Sequence, residues 1–113
     1  MIKGKVVLVP FPFDDLSRTK VRPAVCLTNP LGRYRHVIVA FVTSRIPAEP
    51  LPTDLVLDPN QVGFEMTGLQ VASTLCLHRL MTITTDLILR ELGKLSPIMY
   101  AEARTKLNRL FDL

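Results

Sequence analysis

The sequence has no tryptophan, two histidines and two cysteines, and only 6% of its residues are aromatic. Neither cysteine has the close Cys or His neighbours that a zinc site requires, and no His, Asp and Glu cluster at ligand spacing, so no metal is expected. Cys26 and Cys76 each sit inside an apolar, strand-like run, which suits buried thiols better than a disulfide. Long hydrophobic runs are missing too. The N-terminal one, Val6 to Val9, falls far short of the roughly 20 residues that span a bilayer, and no charged region precedes a cleavable segment. The chain therefore reads as soluble, unexported and cytoplasmic, with no membrane partner. Nor is there a Gly-rich phosphate loop, a carboxylate pair at catalytic spacing, or a Ser or Cys in a nucleophile motif.

What is present makes one domain over residues 1–113, long enough to close a single core. Hydrophobic residues are 48% and charged ones 21%, an ordinary globular balance. The net charge is +4 and unevenly spread. Arg18, Lys20, Arg22, Arg33, Arg35 and Arg45 precede residue 46, against only Asp14 and Asp15. Loops that bring these cations together would attract phosphate or an acidic protein.

Strands are expected at Lys5 to Pro10, Pro23 to Thr28, His36 to Thr43, Thr53 to Leu57 and Gly68 to Leu77, with a short sixth at Leu80 to Ile83. Val6 to Val9 is too continuously apolar for simple alternation and should be buried on both faces. Pro10 and Pro12 should end ladder pairing there, leaving Phe11 to Val21 as a loop. Phe11 and Phe13 then serve as core plugs, dimer contacts or stacking platforms. Asp86 should cap a helical stretch, Leu87 to Leu92, stopped by Gly93. Ser96 and Pro97 open a last helix carrying Ile98, Ala101, Leu107, Leu110 and Phe111 at roughly helical spacing. Strands followed by helices indicate an α+β fold, a small and strongly bent antiparallel sheet or barrel with C-terminal helices.

The residues left to carry chemistry are Arg22, Thr43, Ser44, His78 and Arg79, each at an expected strand end. Cations and hydroxyls without a metal suit a phosphate that gains negative charge in a transition state. RNA supplies its own nucleophile, the 2′-hydroxyl, which points to a ribonuclease needing no cofactor. Each residue also has a plainer reading: Thr43 as a strand residue, Ser44 as a turn former, His78 as an interfacial ring, Arg79 as a solvated charge.

Three stretches, Gly4-Lys5-Val6-Val7-Leu8-Val9-Pro10-Phe11-Pro12-Phe13, Lys20-Val21-Arg22-Pro23-Ala24-Val25 and Phe41-Val42-Thr43-Ser44, precede a Leu92-Gly93-Lys94-Leu95 step before the last helix. Together they resemble the MazF/PemK family of toxins from toxin–antitoxin modules. The resemblance implies the SH3-like barrel of MazF/CcdB/PemK type, a homodimer, and metal-independent cleavage of single-stranded RNA to 2′,3′-cyclic phosphate and 5′-hydroxyl ends. It also implies a cognate antitoxin that covers the RNA groove, with DNA contact only through that complex. On the family's pattern Arg22 and Thr43 are catalytic. Where some relatives carry Glu-Gln this chain has His78-Arg79, which adds His78 as a candidate proton-transfer group. Ser17, Arg18, Lys20, Ser44, Arg45 and Arg79 are the expected RNA contacts. The alternative is a non-catalytic member of the same fold, gripping a gyrase-type target or binding only an antitoxin or DNA.

Overall fold

The computed structural model describes residues 1–11 and 20–113. Among these, six strands run in the order β1 (Lys5–Phe11), β2 (Lys20–Cys26), β3 (His36–Thr43), β4 (Asp54–Leu57), β5 (Ser73–Thr84) and β6 (Arg90–Lys94), before one helix, α1 (Pro97–Leu110). They form a single sheet, β4-β5-β3-β2-β1-β6, with every neighbouring pair antiparallel. The sheet curls into a half-barrel.

The continuous apolar runs are explained by two cores, one on each face. Val6, Val25, Ala40, Val42, Leu75 and Leu77 pack on one side with Met99 and Ala103 of α1. Val7, Val9, Ala24, Cys26, Val39 and Phe41 pack on the other. Neighbours in sequence therefore go to opposite faces and both are buried. Burial pushes the Cys26 thiol up to about 11 and raises that of Cys76 as well; both cysteines are free and buried.

The curl is held by a close backbone approach. A 3₁₀ turn at Phe64–Thr67, in the connection from β4 to β5, lies against the far edge strand β6. A methyl group on Gly93 would run into the Met66 carbonyl, and one on Gly68 into the Leu92 carbonyl. Gly93 is required for room.

Several expectations are corrected. Pro10 does not end the ladder: it pairs with Val21, and Phe11 with Lys20. β6 pairs with β1 only over Lys5 to Leu8, so the missing N–H of Pro10 falls beyond that neighbour's reach. Pro23 is accommodated similarly, since β2 meets β3 only from Ala24 onward. β2 thus begins at Lys20, and Arg22 lies within a strand rather than at its mouth. Leu87 to Leu92 is not a helix; the segment makes a short 3₁₀ turn, Thr85–Leu87, then β6. The two strands expected on either side of His78-Arg79 are one 12-residue strand.

Helix α1 starts as expected: Pro97 occupies its first turn, and the Ser96 hydroxyl accepts the Met99 N–H at 3.2 Å. Its inward stripe differs. Met99 and Ala103 are buried, whereas Ile98, Leu110 and Phe111 are exposed. Among the described residues no helix is long and apolar enough to cross a membrane.

Candidate active site

The start of β2 and the end of β3 lie side by side because the two strands are antiparallel. The geometry places Arg22, opposite Val9, next to the terminal residues of β3. They open on a cleft of about 580 Å³ with Phe41 and Val42 among its lining. Its polar wall is Lys20, Arg22, Thr43, Ser44, Arg45 and Arg79. Four cations thus face one hollow, and no described residue lining it is a carboxylate. Such a site favours an anion, and a fixed guanidinium can bind two oxygens of a phosphate at once.

The end of β3 is tied down at two points. The Thr43 hydroxyl accepts the backbone N–H of Arg45 at 3.2 Å. The buried Thr74 hydroxyl, on the strand opposite, donates to the Arg45 carbonyl at 2.9 Å. Arg45 therefore has its backbone fixed on both sides. The oxygen of Thr43 accepts there, which leaves its own hydrogen available to donate.

Arg79 arrives through an irregularity in β5. Phe41 pairs with Cys76 but Ala40 pairs with Leu80, leaving Leu77, His78 and Arg79 without partners on β3. The bulge re-aims these side chains. Arg79 lies over the Phe11 ring, 5.4 Å from its centroid, a cation–π contact. Phe11 in turn meets Phe41 edge to face at 4.5 Å. Both rings are only 5% exposed, so Phe11, backed by Phe41, supports Arg79 and neither ring offers an open face to a base. Phe13 lies outside the described residues.

The structure thus gathers Arg22, Thr43, Lys20, Ser44, Arg45 and Arg79. His78 does not line this cleft. It borders an adjoining depression with Arg79, Leu80 and Met81, and its Nδ1 is 3.0 Å from the Thr53 hydroxyl. Ser17 and Arg18 lie outside the described residues. Arg33 and Arg35 fall in the β2–β3 connection, at the other end of those strands, so of the described cations expected to converge only Lys20, Arg22 and Arg45 line the cleft, joined by Arg79. Thr74 was missed by sequence reasoning: a Thr inside an apolar strand carries no signal until the register shows what it reaches. Among the described residues no three His, Cys, Asp or Glu side chains group as metal ligands.

Residues 2–111 match the family described as PemK-like, MazF-like toxin of type II toxin-antitoxin system. No curated protein matches the sequence. Among solved structures, the chain is similar to the Mycobacterium tuberculosis toxin MazF-mt6, at TM-score 0.73 and 20% identity over 96% of this chain and 97% of that one. It is also similar to a mycobacterial endoribonuclease solved with its cognate antitoxin, at TM-score 0.70 and 17% identity over 100% of this chain and 96% of that one. Deinococcus radiodurans MazF superposes with TM-score 0.70 and 20% identity over 100% of this chain and 97% of that one. At such identities these likenesses establish the fold.

Proposed function

Because the chain belongs to the PemK-like, MazF-like toxins of type II toxin–antitoxin systems, we propose that it is an endoribonuclease that cuts single-stranded RNA through the substrate's own 2′-hydroxyl. The observation that carries this reading is the convergence of Lys20, Arg22, Arg45 and Arg79 with the Thr43 hydroxyl in one cleft. The 2′-oxygen attacks the adjacent phosphorus and loses its proton, the P–O5′ bond breaks, and the 5′-oxygen takes up a proton. The products are a 2′,3′-cyclic phosphate and a 5′-hydroxyl.

Arg22 stabilises the charge that builds on the phosphorane. A guanidinium has only donors and no acceptor, so Arg22 acts electrostatically rather than as a base. Thr43 donates to a phosphate oxygen and helps hold the attacking and leaving oxygens in line. Lys20, Ser44, Arg45 and Arg79, with Ser17 and Arg18, grip the backbone to either side. His78, its ring oriented by Thr53, is the candidate for proton transfer from the neighbouring depression. The reaction needs no metal, since RNA brings the nucleophile and the protein the countercharge. The functional unit is a cytoplasmic homodimer, silenced by a cognate antitoxin that covers the groove.

The test is incubation of the purified protein with mixed-sequence single-stranded RNA in excess EDTA, with both new ends mapped. Cyclic-phosphate and 5′-hydroxyl ends are expected. Intact RNA from a folded dimer, over many sequences, would turn the assignment to a toxin that grips a protein target.

A further inference from the structure

Cleavage through the 2′-hydroxyl moves two protons, one off the attacking oxygen and one onto the departing 5′-oxygen. Few groups in the cleft can supply the second. The guanidiniums of Arg22, Arg45 and Arg79 hold their protons throughout. A hydroxyl of Thr43 or Ser44 that gave one up would become an alkoxide no more stable than the one it relieved. Among the described residues lining the cleft, Lys20 alone carries a donor that can release a proton and become a neutral group.

The ladder puts that group beside the reacting phosphate. Lys20 stands opposite Phe11 and Arg22 opposite Val9, so both leave β2 on the face that buries Val9, Phe11 and Phe41. Thr43 follows Phe41 by two residues of β3 and shares that face. The β2–β3 pairing of Ala24 with Phe41, continued by two residues along each strand, brings Arg22 abreast of Thr43. Lys20 is the next residue on the same face, roughly 6–7 Å further along β2. We propose that, with Arg22 and Thr43 on the non-bridging oxygens of the phosphate, the Lys20 ammonium is the general acid that protonates the 5′-oxygen as the P–O5′ bond breaks. The inference rests on the ribonuclease reading above and gives Lys20 a task beyond gripping the backbone. The proton passes from Nζ to the 5′-oxygen, which keeps the electron pair of the broken bond and leaves as a hydroxyl. Lys20 is exposed, so the neutral amine takes its next proton from water. The proton of the 2′-hydroxyl goes elsewhere, and His78 remains the candidate to accept it.

The experiment compares the wild type with Lys20→Arg, which keeps the charge and cannot release the proton. Both proteins meet two RNAs of one sequence, chosen from the mapped cuts. One RNA has the ordinary 5′-oxygen at the cut; the other has sulfur there, which departs as a thiolate and needs no proton. Single-turnover rates are read, with circular dichroism as the check on folding. Lys20→Arg is expected to cut the ordinary RNA more slowly than the wild type by roughly a hundredfold or more, the scale of a general acid, and the sulfur RNA at close to the wild-type rate. Equal slowing on both RNAs makes Lys20 a charge that only grips the backbone, and overturns the proposal. A wild-type rate for Lys20→Arg on the ordinary RNA also overturns it and leaves the ribonuclease intact. A wild-type protein that cuts no ordinary RNA overturns both readings.

Discussion

Thr43 accepts the backbone N–H of Arg45 through its hydroxyl, at 3.2 Å, so the strand-end hydroxyl and the backbone that carries the next cation are fixed to one another at the cleft. Thr74 completes it from β5 by donating to the Arg45 carbonyl at 2.9 Å. Groups fixed in this way need less reordering to bind an anion, which is how fixed dipoles and charges favour a transition state.

Thr43→Val keeps the shape of the side chain and removes both roles of the hydroxyl. Cleavage should fall by roughly tenfold or more, and folding stability by about 1 kcal/mol for the lost bond to Arg45. Thr43→Ser should restore both. Single-turnover cleavage and urea unfolding read the two effects separately.

His78 is tested by substitution. If it transfers a proton, His78→Gln should slow single-turnover cleavage by roughly a hundredfold or more, with little change in RNA binding. Equal rates for both proteins would remove His78 from the chemistry and leave it as a partner of Thr53.

The Gly93→Ala variant tests the closure of the half-barrel. Its added methyl meets the Met66 carbonyl, which is backbone and cannot swing aside. A loss of about 1–3 kcal/mol is expected from the forced shift, seen as a melting temperature lower by several degrees. A variant as stable as the wild type would show that the 3₁₀ turn and β6 do not bear on one another.

These positions also show what was legible in the sequence. β3 was bounded correctly, because a run from His36 to Thr43 with no turn former inside it has few other options. The Ser96-Pro97 start of α1 was legible for a similar local reason: cap and first-turn proline act within four residues. β6 was not. Asp86 followed by Leu-Ile-Leu-Arg-Glu-Leu looks helical, but six residues are too few to stabilise a helix alone, and β1 offers that segment an open ladder over Lys5 to Leu8. The bulge at Leu77, His78 and Arg79 was equally hidden, since a change of register between β3 and β5 leaves no mark in composition. Arg22 and Thr43 are singled out in the sequence by expected strand ends and then by the resemblance of their flanking motifs, whereas the arrival of Arg79 over Phe11 depends on that bulge.

Cys26 predicts an alkaline weakness. Burial raises its pKa to about 11, above the ordinary thiol range. Between about pH 9 and 11 the unfolded chain loses this proton and the folded one retains it, so stability should fall as pH rises, by at most about 1.4 kcal/mol per unit. Cys26→Ala should flatten that part of the curve in denaturant titrations. A slope of the same size in the variant would place the effect elsewhere.

The central claim is that Arg22 stabilises the reacting phosphate. The most direct measurement compares wild type and Arg22→Ala in single-turnover cleavage of one RNA in EDTA, with binding of an uncleavable 2′-deoxy analogue measured alongside. The rate should drop by roughly a hundredfold to a thousandfold, equivalent to about 2.7–4 kcal/mol, while binding changes much less, because Lys20, Arg45 and Arg79 still face the cleft. A folded Arg22→Ala protein that cuts at the wild-type rate would contradict the account.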